Sequence, residues 1–110
     1  MKFKVQQDNA TTLFRLKERK LDSSIAPELK AEFLIICKPK VTTLVIDLAD
    51  VEFCDSSGLS ALLIAARKMQ EHGGKVRLLH VHKQVLTLIK ISMLYPVFEI
   101  EEAPSRTTKH

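Results

Sequence analysis

The sequence predicts an α/β fold with one mixed, mostly parallel β-sheet that begins with a hairpin and has helices packed on it. Three observations support this fold class. Some segments alternate between apolar and polar residues, as strands do; others repeat an apolar residue every three or four positions, as helices do; and the two kinds follow each other along the chain. Helices placed between strands favour parallel pairing with right-handed crossovers.

The first predicted elements are a β-hairpin and a helix. Residues 3–8 and 11–18 alternate in type, and a polar turn at 8–10 separates them. In the helix that follows, Pro27 suits only the first turn, where a missing N–H is harmless, and Pro39 lies beyond the end. The apolar positions of this helix recur at intervals of four, four and three: Ile25, Leu29, Phe33 and Ile36.

Residues 41–48 are predicted to form a central strand. They are rich in β-branched residues and nearly continuous in apolar character, which is typical of a strand covered on both faces. The second helix has the clearest apolar stripe and ends at Gly73-Gly74. The members of the stripe are Leu59, Leu62, Leu63, Ala66 and Met69. The predicted order ends with a strand at 75–80, a third helix around 85–89 and a last strand at 97–100.

Length and composition indicate one folded domain. The chain has 110 residues, of which 45% are hydrophobic and 27% charged, as in globular proteins. We expect residues 1–103 to form the domain and the polar residues 104–110 to form a flexible tail. The most apolar stretch, 59–66, is far shorter than the roughly 20 residues of a bilayer span. Because the N-terminal segment also lacks a secretory signal, we expect a cytoplasmic protein without membrane insertion.

The composition argues against several classes of function. The net charge of +4 is spread along the chain and only 5% of residues are aromatic, so direct nucleic-acid binding is not expected. Cys37 and Cys54 have no C-x-x-C spacing and are predicted to be buried thiols. His80 and His82 lack a matching ligand pattern and are predicted to be ordinary surface residues, while His72 is expected at the C-terminal end of the second helix.

These residue patterns predict a protein without catalytic residues, metal or cofactor. No serine, histidine and aspartate can be combined into a nucleophile and its base, since each histidine has an easier explanation. The chain also has only three glycines and no glycine-rich phosphate loop. We therefore expect the protein not to be an enzyme.

The segment 51–59 is the predicted functional site. It follows the central strand, and ligands of open α/β sheets concentrate at the carboxyl ends of strands. Ser56 or Ser57 is predicted to cap the second helix near Gly58. Asp-Ser-Ser-Gly is common as a plain turn with a good cap, and spacing alone favours that structural explanation. The functional alternative is an exposed serine at a helix N-terminus, which suits a phosphoacceptor because free N–H groups and the helix dipole receive phosphate oxygens.

Two segments resemble the STAS domain of bacterial anti-sigma factor antagonists. The first is the strand Val45-Ile46-Asp47-Leu48, and the second runs from Val51 through Phe53 to Asp55-Ser56-Ser57-Gly58-Leu59. The likeness in element order extends over residues 3–100, and its specific part is the Asp-Ser-Ser-Gly-Leu segment. Leu21-Asp22 is similar to the family's Gly-x-Leu-Asp segment. The sequence departs from the family pattern at Arg19 and at Met93, where glycine is usual.

The resemblance implies a partner switch. The unphosphorylated antagonist binds an anti-sigma factor that is also a serine kinase, the kinase phosphorylates Ser56 and ends the binding, and a PP2C-type phosphatase resets it. ATP belongs to the partner in this scheme, so the domain needs no cofactor. The resemblance implies the following partner-binding residues: Asp22, Asp55, Ser56, Ser57, Gly58 and Leu59. Phosphorylation of Ser57, or of neither serine, stays open at this point.

Two other functions stay open from the sequence. One is an accessory STAS subunit of a membrane transport or lipid-trafficking complex, which binds an ATPase without a phosphorylation cycle. The other is a sensor that holds a nucleotide or another anion at the helix N-terminus without covalent change.

Overall fold

The computed structural model describes residues 1–104. Its strands are β1 (Phe3–Asp8), β2 (Thr11–Leu16), β3 (Lys20–Leu21), β4 (Thr43–Asp47), β5 (Phe53–Cys54), β6 (Lys75–Val81) and β7 (Glu99–Glu102). Its helices are α1 (Ala26–Ile36), α2 (Ser56–Gln70) and α3 (Lys83–Ile91), with a 3₁₀ turn at Tyr95–Val97. The predicted tail falls mostly on residues 105–110, which lie outside the described part of the chain.

The main sheet has the strand order β1-β2-β4-β6-β7. Strands β1 and β2 are antiparallel, and the other neighbours are parallel, so the predicted mixed sheet with an N-terminal hairpin is confirmed. The crossovers β2-α1-β4, β4-α2-β6 and β6-α3-β7 all step in the same direction. Since such crossovers are right-handed, the three helices lie on the same face of the sheet.

The core lies between this helical layer and the sheet. Its strand residues Phe14, Ile46 and Leu78 belong to one buried cluster with Phe33 of α1 and Ile89 of α3. The alternate strand positions point to the other face, as the two-residue repeat of a strand requires. That face carries charged side chains, including Lys4, Arg15, Asp47, Arg77 and Glu99.

The central strand β4 is buried on both faces, as predicted, because Leu44, Val45 and Ile46 are all buried, although helices cover only one face. Val45 points away from the helices and is outside the core cluster, although only 9% of it is exposed. Its neighbours in register are Leu13 of β2 and Arg77 of β6. Val45 is therefore buried without a second helical layer, on a face where β2 and β6 place these two side chains next to it in register.

A second, two-stranded sheet is missing from the sequence-based description. Its strands β3 and β5 are parallel, with Lys20 opposite Phe53 and Leu21 opposite Cys54. Each strand has only two residues, too few for an alternating pattern to be recognised. This short pairing joins the segment before α1 to the segment before α2.

The two departures from the family pattern have different backbone consequences. Arg19 is not among the non-glycine residues with positive φ, so its backbone does not require glycine. Met93 has a φ of 62°, in the left-handed region, and 83% of its surface is exposed. Met93 therefore bears backbone strain without gaining a buried side chain.

Replacing Met93 by glycine is expected to raise the free energy of unfolding by about 0.5–1 kcal/mol. The left-handed conformation costs an L-residue about 1–2 kcal/mol, which exceeds the entropy that glycine adds to the unfolded chain. Urea unfolding followed by circular dichroism measures the change. Met93→Ala is the control, because alanine keeps the strain, and equal stabilities of the two variants would contradict this prediction.

Candidate functional site

The segment that leads into α2 is held by Asp55. Asp55 is the N-cap residue, and its carboxylate accepts a hydrogen bond from the Gly58 N–H at 2.9 Å. The expectation that Ser56 or Ser57 caps this helix is therefore wrong. An aspartate satisfies a free N–H of the first turn as well as a serine does, and here it lies one residue earlier. The hydroxyl of Ser56 is not needed as a cap.

Ser56 is the first residue of α2 and is exposed, whereas Ser57 is half-buried. The first N–H groups of a helix have no acceptor within the helix, and the Asp55 carboxylate takes that of Gly58. The positive end of the helix dipole lies at the same place. An oxyanion bonded to the Ser56 oxygen would thus meet backbone donors of α2 and also the negative charge of Asp55.

The pairing of β3 with β5 brings Asp22 to the same edge of the molecule as Ser56. The Leu21 carbonyl oxygen accepts the Asp55 N–H at 3.2 Å, and the Arg19 carbonyl oxygen accepts the Glu52 N–H at 2.8 Å. Asp22 is next to Leu21 in the chain. The structure therefore collects Asp22, Asp55 and Ser56 at the carboxyl edge of the sheet.

Asp22 organises the turn before α1. Its carboxylate accepts hydrogen bonds from the Ser24 hydroxyl and from the Ser24 N–H at 3.0 Å. These bonds, the one from the hydroxyl first, hold the pKa of the Asp22 carboxyl below its usual range. Asp22 therefore presents a fixed negative charge at this edge.

Gly58 and Leu59 lie below the surface of the site. Leu59 is 5% exposed, and Gly58 packs so closely against Leu21 that an added Cβ would lie 2.1 Å from the Leu21 carbonyl oxygen. The resemblance implies that both residues bind a partner. The structure shows that both are buried and that Gly58 packs on the Leu21-Asp22 segment.

Sequence reasoning missed Gln84 of α3. Its side-chain amide accepts the Cys54 N–H at 2.8 Å and donates to the Cys54 carbonyl oxygen at 3.0 Å. The amide thus pairs with the free edge of β5 as a neighbouring strand would. No sequence pattern signals this contact, because Gln84 is 30 residues from Cys54 and a glutamine in the first turn of a helix is ordinary.

The two cysteines are buried thiols, as predicted. Cys54 is 1% exposed, and desolvation raises the pKa of its thiol to about 12. Desolvation raises the pKa of the Cys37 thiol to about 11. Both thiols are protonated near neutral pH, so neither is activated as a nucleophile or ligand.

Two histidines make contacts that differ from the predicted ones. His80 and His82 are half-buried rather than plain surface residues. His80 Nδ1 lies 2.8 Å from a carboxylate oxygen of Asp47, and His82 Nε2 lies 2.6 Å from the Ala49 carbonyl oxygen. His72 follows Glu71, the C-cap residue of α2, and its N–H donates to the Met69 carbonyl oxygen at 3.3 Å, as expected at the helix end. Its ring adds a contact, with Nε2 2.8 Å from the Val41 carbonyl oxygen.

Residues 1–104 contain no group of three histidine, cysteine or acidic side chains arranged to hold a metal ion. His80 and His82 instead tie the end of β6 to the loop that follows β4. This loop leads to β5 and then to Ser56.

Asp55→Ala is expected to lower the free energy of unfolding by about 1 kcal/mol, because the Gly58 N–H then loses its acceptor. Asp55→Asn is the matched control, since asparagine keeps a capping oxygen and removes only the charge. Thermal unfolding of both variants measures the difference. A stability loss as large in Asp55→Asn as in Asp55→Ala would contradict the capping role.

The fold and the site define a small single-domain α/β protein with a mixed sheet and an exposed serine at the start of a long helix. The family model of the STAS domain matches residues 2–106. The chain therefore belongs to the STAS domain family, as its resemblance indicated. No curated protein sequence matches the chain.

Solved structures share this fold. The unphosphorylated anti-sigma factor antagonist SpoIIAA is 24% identical with a TM-score of 0.78, over 94% of this chain and 90% of that one. The phosphorylated form of SpoIIAA from Bacillus is 23% identical with a TM-score of 0.73, over 94% and 93%. A sulfate transporter family protein from Wolinella succinogenes is 12% identical with a TM-score of 0.73, over 84% and 77%.

Proposed function

We propose that this protein is a cytoplasmic anti-sigma factor antagonist that works as a phosphorylation-controlled partner switch. Unphosphorylated, it binds an anti-sigma factor that is also a serine kinase, and phosphorylation of Ser56 ends this binding. The observation that carries the proposal is the exposed position of Ser56 as the first residue of α2, where Asp55 and not the serine caps the helix.

The position of Ser56 gives phosphate a large local effect. A phosphoserine brings about −1.5 to −2 charges at neutral pH. This charge would lie beside the Asp55 carboxylate and on the edge that also carries Asp22. Within the protein, the helix dipole and the free N–H groups of α2 stabilise the phosphate. An acidic partner surface at this point would be repelled by it, and an apolar partner surface would have to desolvate it.

Ser56 is favoured over Ser57 as the acceptor because of its exposure. A kinase must place the acceptor hydroxyl in its own active site, and Ser57 is half-buried in the first turn of α2. The existence of SpoIIAA structures in unphosphorylated and phosphorylated forms supports a phosphorylation cycle in a protein of this fold.

The partners and this chain supply different parts of the proposed cycle. The anti-sigma kinase supplies ATP and the catalytic groups, and a PP2C-type phosphatase removes the phosphate. This chain supplies the acceptor hydroxyl and the docking surface around it, and it acts without a cofactor and without catalysing a reaction. The surface includes the exposed or half-exposed Asp22, Asp55, Ser56 and Ser57, and Gly58 and Leu59 support it from below.

The proposal is tested by the mass of the intact protein purified from its native cell, with and without phosphatase treatment. We expect a species that carries one phosphate, located on peptide 41–67, and its loss after treatment. A chromosomal Ser56→Ala variant should lack the phosphate. An unmodified protein under every growth condition, or a phosphate retained in Ser56→Ala, would contradict the proposal.

A second function is an accessory STAS subunit of a transport complex that binds an ATPase without phosphorylation. The likeness to the sulfate transporter family protein favours it. In residues 1–104, no helix is long and apolar enough to cross a bilayer, so such a membrane part would belong to another chain or segment. Neighbouring genes for a permease and an ATPase, instead of a kinase and a sigma factor, would favour this alternative.

A further inference from the structure

A basic groove lies at the same edge of the molecule as Ser56. It is an open depression of about 630 Å³, and we define it by Lys2, Lys17, Glu18, Arg19, Lys20 and Asp22. The end of the β1-β2 hairpin forms one side, where the Lys17 N–H donates to the Lys2 carbonyl oxygen at 2.8 Å. The segment that contains β3 forms the other side. Both sides belong to the carboxyl edge of the parallel strands.

The lysines of the basic groove are available to a partner. Lys2, Lys17 and Lys20 are exposed, and they form no ion pair with any acidic side chain of residues 1–104. Arg19 pairs with Glu52 at 3.1 Å, but the two side chains are 80% and 61% exposed, so water competes for this contact.

The two carboxylates of the basic groove are bound within the chain. Glu18 accepts the Lys2 N–H at 2.7 Å, and Asp22 accepts the hydrogen bonds of Ser24. Four cations and two carboxylates thus line the groove, which leaves a positive surface. A ligand with several carboxylates complements such a surface.

The basic groove adjoins the segment that leads to Ser56. Lys20 is opposite Phe53 in the β3-β5 pair, and Phe53 is an exposed aromatic residue, 42% accessible, three residues before Ser56 in the chain. Exposed aromatic side chains next to charged ones are common anchors in protein interfaces. This edge therefore carries cations, an exposed apolar side chain and the serine.

We propose that the basic groove binds an acidic peptide segment of the partner protein, with an apolar residue of that segment on Phe53. This inference rests on the proposed function in taking the Ser56 edge as the docking edge, and it adds the chemistry of the partner. It also explains why phosphate ends binding, because a phosphate beside the groove repels a segment rich in carboxylates. Arg19, which stands where the family usually has glycine, adds a positive charge to this groove.

The test uses the full chain labelled with ¹⁵N and a synthetic probe peptide in which glutamates flank a central leucine. We expect amide shifts confined to residues 17–22 and 52–56 and an affinity that falls as salt rises. Lys17→Glu with Lys20→Glu should lower the affinity at least about tenfold. Lys38→Glu with Lys40→Glu is the matched control, because it changes the net charge equally between α1 and β4, at the opposite edge.

Equal loss of affinity in the two double variants, or shifts spread over the whole surface, would overturn the inference. Tighter binding of a single-stranded oligonucleotide or of anionic vesicles to the same residues would also overturn it, since the ligand would then not be a peptide. The outcome is independent of the mass measurement for Ser56. If the protein carries no phosphate but binds the peptide specifically, only the phosphorylation switch is refuted. If Ser56 is phosphorylated but the peptide does not bind specifically, only the peptide-binding role of the basic groove is refuted.

Discussion

Ser56→Asp is expected to weaken binding to the anti-sigma factor about a hundredfold, whereas Ser56→Ala should bind as well as the unmodified protein. The aspartate places a permanent negative charge at the first residue of α2, beside the Asp55 carboxylate. An unfavourable change of only about 2.8 kcal/mol in the binding free energy produces this factor. Repulsion and desolvation of one charge at a docked surface are of this size.

Isothermal titration calorimetry with the anti-sigma factor from the same genome measures both variants. Gln70→Glu is the control, because Gln70 is exposed at the far end of α2 and the change adds one charge with little change in shape. Enzymatically phosphorylated protein provides a second comparison. Equal affinities of Ser56→Asp and Ser56→Ala, with phosphorylated protein also unchanged, would show that this serine does not control binding.

Gly58→Ala is expected to lower the free energy of unfolding by at least about 2 kcal/mol, at the upper end of the cost of adding one methyl group to a packed interior. The new Cβ would lie 2.1 Å from the Leu21 carbonyl oxygen and 2.6 Å from Leu21 Cγ. The first of these contacts is with backbone, which cannot rotate away. The start of α2 must therefore move, and the hydrogen bond from Asp55 N–H to the Leu21 carbonyl oxygen is lost.

Urea unfolding measures this loss, with Ser60→Ala as the control. Ser60 lies in the same helix and is exposed, so alanine there should be neutral or slightly stabilising. Because Gly58 also holds Asp22 near Ser56, we expect folded Gly58→Ala to bind the anti-sigma factor less tightly. A Gly58→Ala variant as stable as Ser60→Ala would mean that α2 and the Leu21 segment do not pack as described.

The local patterns predicted the main elements well. The apolar stripes of α1 and α2 and the alternation of the hairpin strands are properties of neighbouring residues, so they can be recognised without knowing what packs against them. The Asp55-Ser56-Ser57-Gly58 segment was recognisable for the same reason. The prediction of a serine cap is wrong because aspartate and serine are equally good caps, and only the boundary of the helix distinguishes them.

Other parts of the site depend on residues that are far apart in the chain. The β3-β5 pair, the amide of Gln84 on Cys54 and the approach of Gly58 to Leu21 join segments about 30 or more residues apart. No short pattern encodes such contacts. The basic groove is of the same kind, since Lys2, Lys17 and Lys20 look like scattered surface charges until the hairpin and β3 bring them together.

The α/β class, the order of the main elements and the serine segment at the start of α2 can be recognised in the amino-acid sequence, because they follow from side-chain patterns along one stretch of backbone. The set of side chains that share the carboxyl edge with Ser56, and the burial of Gly58 and Leu59 beneath it, become visible only in the folded chain. Burial and charge neighbourhood are set by the packing of distant segments, here through the strand order and the close contact of Gly58 with Leu21.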